Sequence, residues 1–502
     1  MSFSSRRETV SSVAVALARA RLGVWPLVWI VMAAAAPFTV VAGGATAGFA
    51  VTGITGIPLG YVVVALILAL FSIGYVAMSR KVVNAGAFYT YITHGLGKPA
   101  GVAGSFVAVA GYNVMQTGLY GGFGVAAHDF ATAHLGTSAP WWMWAMLAWA
   151  LIAFLGGRRI DLNGRVLAVL LIAEIAVAVV LAIVQVSHPA GGNTSFTTLS
   201  PNNLFTAGLG AALATAIAGF VGFEGTAVFS EESKDPQKTV ARATYLALAI
   251  IGVLYAFCAW AMSVATGPNQ IVAKATSDGS QLIFNLSRPY VPAALITLGQ
   301  LLFVTSLFAA LLAFHNTCAR YFYALGREGV LPSALGRTSP KTRAPIYGSL
   351  LQTAVGLVVI ATYVLAGWDP FTRMFFWLTV LGGVAVLILM TATSVAVLVY
   401  FVHPRNRDGV GAARGILAPA VATVALGAVL WVTLAQMPIL LGVAGTSPLR
   451  WQLPGIFAVA GVLGLLWAWV LKASRPEVYA VIGLGANSAV TEPASPFATA
   501  GR

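Results

Sequence analysis

The stretch TAIAGFVGFEGTAVFSEESKDPQKTVARAT, residues 215–244, starts as an apolar helix and finishes as a charged loop. Between the two lie three glycines, Gly219, Gly222 and Gly225, and one carboxylate, Glu224. Glycine weakens a helix by about 1 kcal/mol relative to alanine, and an acid at mid-bilayer is disfavoured by at least about 2.5–3.5 kcal/mol. A chain that keeps both at one place needs a reason for each, and the surroundings must supply it.

The surroundings are apolar throughout. Of 502 residues 59% are hydrophobic and only 8% charged, and the mean hydropathy is +0.87. A soluble core needs a charged shell about three times richer. This composition predicts an all-α integral membrane protein. Runs of roughly 20 apolar residues give twelve expected spans, near 24–54, 58–78, 100–128, 140–156, 163–186, 204–230, 241–265, 290–325, 346–366, 371–402, 414–440 and 453–472. Span 1 lacks the small-x-small cleavage pattern of a signal peptide and reads as retained. The two cysteines, Cys258 and Cys318, lie in apolar runs and imply neither a disulfide framework nor a zinc site.

The net charge of +14 is a matter of placement. Arg6, Arg7, Arg19 and Arg21 precede span 1, and Arg80 and Lys81 follow span 2. Arg158, Arg159 and Arg165 lie between spans 4 and 5, and Lys234, Lys238 and Arg242 between spans 6 and 7. Arg327, Arg337, Lys341 and Arg343 follow span 8; Arg405, Arg407 and Arg414 follow span 10. The opposite side holds only Lys274, Arg288, Arg373 and Arg450 of the 28 basic residues. The bias predicts cytoplasmic termini in a plasma-membrane protein, and it marks topology rather than a nucleic-acid partner. The expected organisation is a cytoplasmic segment at 1–22, a core at 23–405 with halves near 23–190 and 200–405, two accessory helices in 406–476, and a disordered cytoplasmic tail at 477–502.

Two spans are interrupted in the same way. Span 1, WIVMAAAAPFTVVAGGATAGF, carries Pro37 and the pair Gly43 and Gly44 near its middle; span 6 carries the three glycines quoted above. Proline removes a ladder hydrogen bond, and freed backbone groups survive in a membrane only where they line a cavity. Close packing through small residues is the competing explanation for either span alone. Spans 1 and 6, however, open two successive five-span blocks. Paired discontinuous helices in corresponding positions point to an inverted-repeat transporter with a midplane site. There, helix N-termini offer N–H groups to a carboxylate and helix C-termini offer carbonyls to an ammonium, which suits a zwitterionic amino acid.

The segment GFVGFEGTAVFSEESKDPQKTVARAT resembles the sixth-helix signature of the amino acid–polyamine–organocation superfamily, in which Gly-Phe-Glu precedes an acidic pair and a Lys-Asn/Asp-Pro turn. AMSRKVVNAGAFYTYITHGLGKPAG (77–101), CARYFYALGREGVLP (318–332) and SPKTRAPIYG are similar to further stretches of that superfamily. The resemblance covers about residues 20–405 and implies a leucine-transporter-like 5+5 inverted repeat with two accessory helices. The family's Gly-small-Gly in the first helix is absent as such. Its counterpart falls at Ala36, Pro37 and Phe38, next to Thr39, when counted from the helix start, or at Ala42, Gly43 and Gly44 when counted back from span 2. The bulky aromatic gate of many relatives falls on Ala218, beside Gly219, with Phe220 as a substitute and Gly222 in the break.

Glu174, in VLLIAEIAVAVV, is the most isolated acid. Many relatives carry a lysine there, in the space of a sodium ion; a glutamate reverses the sign. It is the candidate to bind and release a coupling proton. The rivals are sodium, for which Thr305 and Ser306 could supply oxygens, and a neutral structural glutamate. Glu224 either reports protonation, as in some acid-resistance exchangers of the superfamily, or caps the second half of the broken helix. Glu231 and Glu232 read as surface or gate ion pairs beside Lys234. Tyr112, Asn113 and Gln116 recur on one face of span 3, toward the substrate route or into interhelical hydrogen bonds. His128, Asp129 and His134 read as solvated loop residues rather than metal ligands, His315 and Asn316 as structural, and Trp141, Trp142 and Trp144 as an interfacial belt.

The function these readings favour is a secondary active transporter for amino acids, proton-coupled, needing no cofactor or metal. An exchanger, a polyamine or organic-cation carrier, and a sodium symporter are the alternatives. The short loops hold no nucleophile–base pair and no phosphate-cradling loop, which argues against an enzyme, and a channel would need a continuous polar stripe along several spans.

Overall fold

The computed structural model describes residues 22–82, 86–157, 164–228, 233–339, 342 and 344–485. Arg6, Arg7, Arg19, Arg21, Arg158, Arg159, Glu231, Glu232, Lys341 and Arg343 fall outside the described residues. Among those described, every element longer than a single bridge is helical. In chain order these include α1 (Val24–Ala35), α2 (Thr46–Thr52), α3 (Ile57–Ser79), α4 (Ala87–Leu96), α5 (Lys98–Leu135), α6 (Trp141–Gly156) and α7 (Gly164–Ser187). They continue with α8 (Leu209–Phe220), α9 (Gly225–Val228), α10 (Pro236–Thr266), α11 (Ile271–Asp278), α12 (Ala293–Arg327), α13 (Ile346–Ala366) and α14 (Trp377–Val402). The last are α15 (Ala418–Ala435), α16 (Leu449–Ser474) and α17 (Pro476–Val481).

Among the described residues ten helical stretches are long and apolar enough to cross a membrane, and the protein is a multi-pass membrane protein. Two of the expected spans do not meet that measure. The 38-residue helix α5 is diluted by glycine and polar residues, and α6 has only 16 residues, about 24 Å of rise.

Both expected interruptions exist. The first span stops at Ala36, whose φ of 44° makes it the one non-glycine residue with positive φ among those described. Such a conformation stores about 1–3 kcal/mol and persists only where packing enforces it. The chain resumes through Pro37 and Phe38 into a π-helical turn, Thr39–Ala45, before α2. The break thus falls at Ala36-Pro37-Phe38, and Ala42-Gly43-Gly44 lies inside the π turn. The sixth span stops at Phe220, turns through Val221 and Gly222, and restarts at Gly225.

Around the breaks, α1 packs on α7, α10 and α12, while α8 packs on α14, α15 and α3; the long α5 crosses α12, α14 and α16. At one end of the bundle the chain after α16 does not trail away as expected from 477. It forms α17 and then docks: the N–H groups of Gly483 and Gly485 each donate to the Glu328 carboxylate at 2.9 Å. Tyr89 from α4 donates to the same carboxylate, and Lys98 donates to the Ala480 carbonyl at 2.7 Å. Composition alone predicts disorder here and carries no sign that Gly483 and Gly485, both at positive φ, bring their N–H groups to one carboxylate. Residues 486–502 lie outside the described residues.

Candidate functional site

The two breaks touch. A Cβ placed on Gly222, φ +117°, would sit 3.1 Å from Ala34 Cβ and from the Ala35 backbone nitrogen. Only glycine lets the two strands of irregular backbone approach so closely. Because Pro37 has no N–H, the Ala33 carbonyl loses its normal helical donor. The Ala35 carbonyl takes the Tyr255 hydroxyl at 3.1 Å instead.

Against this junction lies a cavity of about 50 Å³. The first span contributes Ala34, Ala35, Ala36, Thr39, Val40 and Gly44, and the sixth contributes Thr215, Ala218, Gly219 and Val221. Met115 and Leu119 of α5, Ala310 and Phe314 of α12, and Phe375, Phe376, Thr379 and Val380 of the tenth span complete it. No lining side chain is ionisable. Its polar groups are the three threonine hydroxyls and whatever backbone the breaks leave open.

Five of the expected binding residues line this cavity: Ala36, Thr39, Gly44, Ala218 and Gly219. The others sit behind it. Phe38 is fully buried against Phe284, ring centroids 5.8 Å apart, and Ala42 is sealed in the core. Phe220 is wedged between Tyr61 and Tyr255, so it does not replace the missing gate at 218. Gly43 backs onto the ring of Phe375.

Tyr112 and Gln116 occupy the neighbouring ridge of α5, not the cavity face. Gln116 accepts from Gln352 of α13 at 3.0 Å, and Asn113 bonds its own helix at Val109. The lining residues Met115 and Leu119 escaped the sequence reading because an apolar residue on a membrane helix carries no distinguishing mark. Phe314, Phe375 and Phe376 escaped for the same reason.

The two buried acids are built into the breaks. Glu224 accepts the Tyr112 hydroxyl at 2.7 Å and the Gly222 N–H at 2.8 Å, and its own carbonyl accepts Tyr75 at 2.9 Å. It therefore satisfies a donor that the uncoiled joint exposes. Glu174 is 3% exposed, and the Ser306 hydroxyl and the Phe38 N–H face its carboxyl. Ser306 also accepts the Thr39 N–H at 3.3 Å. Glu174, Ser306 and the first break thus form one unit. The Thr305 hydroxyl donates to the Leu302 carbonyl of its own helix at 3.0 Å.

Elsewhere, His128 bonds the Ala139 carbonyl, and His134 joins Gln300 and Gln281 in a short chain of hydrogen bonds. Among the described residues no cluster of three or more histidine, cysteine or acidic side chains is placed to hold a metal. His315 bonds Ser349 at 2.8 Å inside the bundle.

Apolar helices broken face to face over a hollow, with acids bonded to the breaks, are the build of a membrane transporter. A profile described as amino acid permease matches residues 22–465, and the chain belongs to that family, whose members are transporters and not enzymes. It is 27% identical over 333 residues to the low-affinity putrescine importer PlaP of Escherichia coli, covering 61% of this chain and 68% of that protein. It is 26% identical over 334 residues to the branched-chain amino acid permease BcaP of Lactococcus lactis, covering 63% and 69%. A methylthioribose transporter of Bacillus subtilis is 25% identical over 218 residues, 43% of each chain.

Proposed function

We propose that this protein is a secondary active transporter that carries amino acids with small, uncharged side chains across the cytoplasmic membrane by alternating access, coupled to protons through Glu174. The observation that carries the reading is the junction of two broken helices over a cavity with no ionisable lining. A zwitterion can satisfy both its charged ends on peptide groups freed by the breaks, leaving an apolar side chain among Val40, Met115, Leu119 and the phenylalanines. A diamine such as the one named for the E. coli relative would call for carboxylates in the lining. Glu174 and Glu224 are both directed at backbone and hydroxyl partners instead.

The packing pattern supports a 5+5 inverted repeat of twelve spans. Exchanging the first span for the sixth exchanges the α1 contacts with α7 and α10 for the α8 contacts with α14 and α3. The α7–α12 contact likewise corresponds to α14–α5. The charge bias favours cytoplasmic termini.

Glu174 is proposed as the proton carrier because its buried carboxyl lies beside Phe38 at the first break and Ser306. An ionised carboxyl accepts from Phe38 and Ser306, whereas a neutral one offers a donor and weaker acceptors, so protonation changes the grip on the unwound segment. Sodium is the rival coupling ion and would need several oxygens at this spot; the ion gradients in the flux test below decide between the two.

Flux into proteoliposomes tests the reading, using labelled alanine, valine, leucine, lysine and putrescine with an inward proton or sodium gradient. Acceleration of neutral amino acids by the proton gradient, abolished in Glu174→Gln while exchange partly persists, is the expected result. Stimulation by sodium alone refutes the coupling, and exclusive movement of putrescine refutes the substrate class.

A further inference from the structure

The cavity lacks the aromatic that its relatives are expected to place on the sixth span, and the structure leaves no space for one there. Ala218 is pressed against the tenth span: a Cβ on Gly383 would lie 2.9 Å from Ala218 Cα and Cβ. The tenth span instead begins with a π-helical turn, Pro370–Phe376, and sends the consecutive rings Phe375 and Phe376 into the cavity wall. Wide turns of this kind gather at functional sites.

Phe375 has a seat cut for it. Its ring lies between two glycines on different helices, Gly43 of the first span and Gly122 of α5. A Cβ would fall 3.1 Å from Phe375 Cε1 and Cζ at Gly43, and 2.6 Å from Cδ2 at Gly122. The ring is 3% exposed. Its backbone is held from both sides: ahead of it Asp369 accepts the Thr372 N–H and Tyr363 donates to the Arg373 carbonyl at 3.1 Å, and behind it the Thr379 hydroxyl donates to the Phe375 carbonyl at 2.7 Å. With the backbone held, the two glycines set where the ring stands in the cavity wall.

We infer that the Phe375 ring, seated between Gly43 and Gly122, closes the substrate cavity on the external side and sets the largest side chain the protein accepts. The inference rests on the transport reading above and deepens it: the substrate class is capped in size by an aromatic carried on the tenth span. Gly43 lies past the first break, Gly122 in the second half of α5 and Phe375 near the start of the tenth span, all toward the face that the charge bias assigns to the outside.

Two substitutions on opposite sides of one contact should act in opposite directions. Phe375→Ala removes the lid, and the ratio of kcat/KM for a bulky substrate (phenylalanine) to that for alanine should rise by about tenfold. Gly122→Ala fills the seat and pushes the ring inward, so the same ratio should fall. A merely structural role would depress both substrates alike in both variants. The second readout needs no transport. An Ala218→Cys variant is labelled by an impermeant maleimide from outside, against a background in which Cys258 and Cys318 are buried. Labelling should be several-fold faster when Phe375→Ala is added. Phe375→Leu, which keeps an apolar plug, serves if the alanine variant does not purify as a monodisperse protein, and its effects should have the same signs. An unchanged substrate ratio with an unchanged labelling rate overturns the inference. Absence of amino acid flux in the parent protein overturns the transport reading, while the labelling arm still decides the gate.

Discussion

Gly222→Ala is the most direct probe of the junction between the breaks. At φ +117° an L side chain is strained by about 1–3 kcal/mol, and the new methyl would meet Ala34 Cβ and the Ala35 nitrogen at 3.1 Å, closer than ordinary contact. The obstacle is largely backbone, so neither partner can swing aside. If the strain falls on the conformation in which the breaks meet, a penalty of about 1–3 kcal/mol lowers the population of that state about 5- to 150-fold. Apparent affinity falls by the same factor. Equilibrium binding of a labelled neutral amino acid to detergent-purified protein reads this out, with thermal unfolding as a check on folding. Gly225→Ala is the matched control, because its Cβ would meet only Val31 Cγ2, at 3.9 Å. Affinity within about twofold of the parent for Gly222→Ala, or an equal loss in Gly225→Ala, would refute the view that the two breaks form one binding junction.

Three further expectations follow from contacts at the periphery of that junction. Tyr112→Phe keeps the ring but removes a donor from the buried Glu224 carboxyl, and should lower stability by about 1–3 kcal/mol, seen as a lower thermal midpoint. Gln116→Leu alone orphans the Gln352 amide and should destabilise by a similar amount, whereas the double change with Gln352→Leu should recover most of the loss. Glu328→Ala should raise hydrogen exchange across residues 476–485 by on the order of tenfold or more, because two backbone donors and Tyr89 lose their shared acceptor.

Backbone chemistry made part of this protein readable from residue types alone. Pro37 and the glycines at 219–225 cannot sustain a regular helix, and an isolated Glu174 in lipid demands partners, so the breaks and the acid beside them could be anticipated. The register of the first break was open because two segments, 36–38 and 42–44, both weaken a helix; the first won because proline frees a carbonyl outright, while a π turn absorbs Gly43 and Gly44. Side-chain direction was less accessible. On α5 small residues surround the helix, so Tyr112 and Gln116 looked inward by polarity, yet the cavity face is Met115 and Leu119, one ridge away. Phe220 is the substitute aromatic nearest in sequence, whereas the rings in the cavity wall, Phe375 and Phe376, belong to the tenth span and are near only in space.

The docked C-terminal segment has a consequence for how the chain is made. Tyr89 and Gly483 are 394 residues apart, and Glu328 precedes Gly483 by 155. That corner cannot close until the chain has been made through residue 485, however early the bundle inserts. Until then the acid keeps only its tyrosine, and a translation product stopped short of residue 483 never completes the joint. Closure of this corner thus records that translation has passed residue 485, a record that ribosome stalling or a stop before that point would leave unwritten.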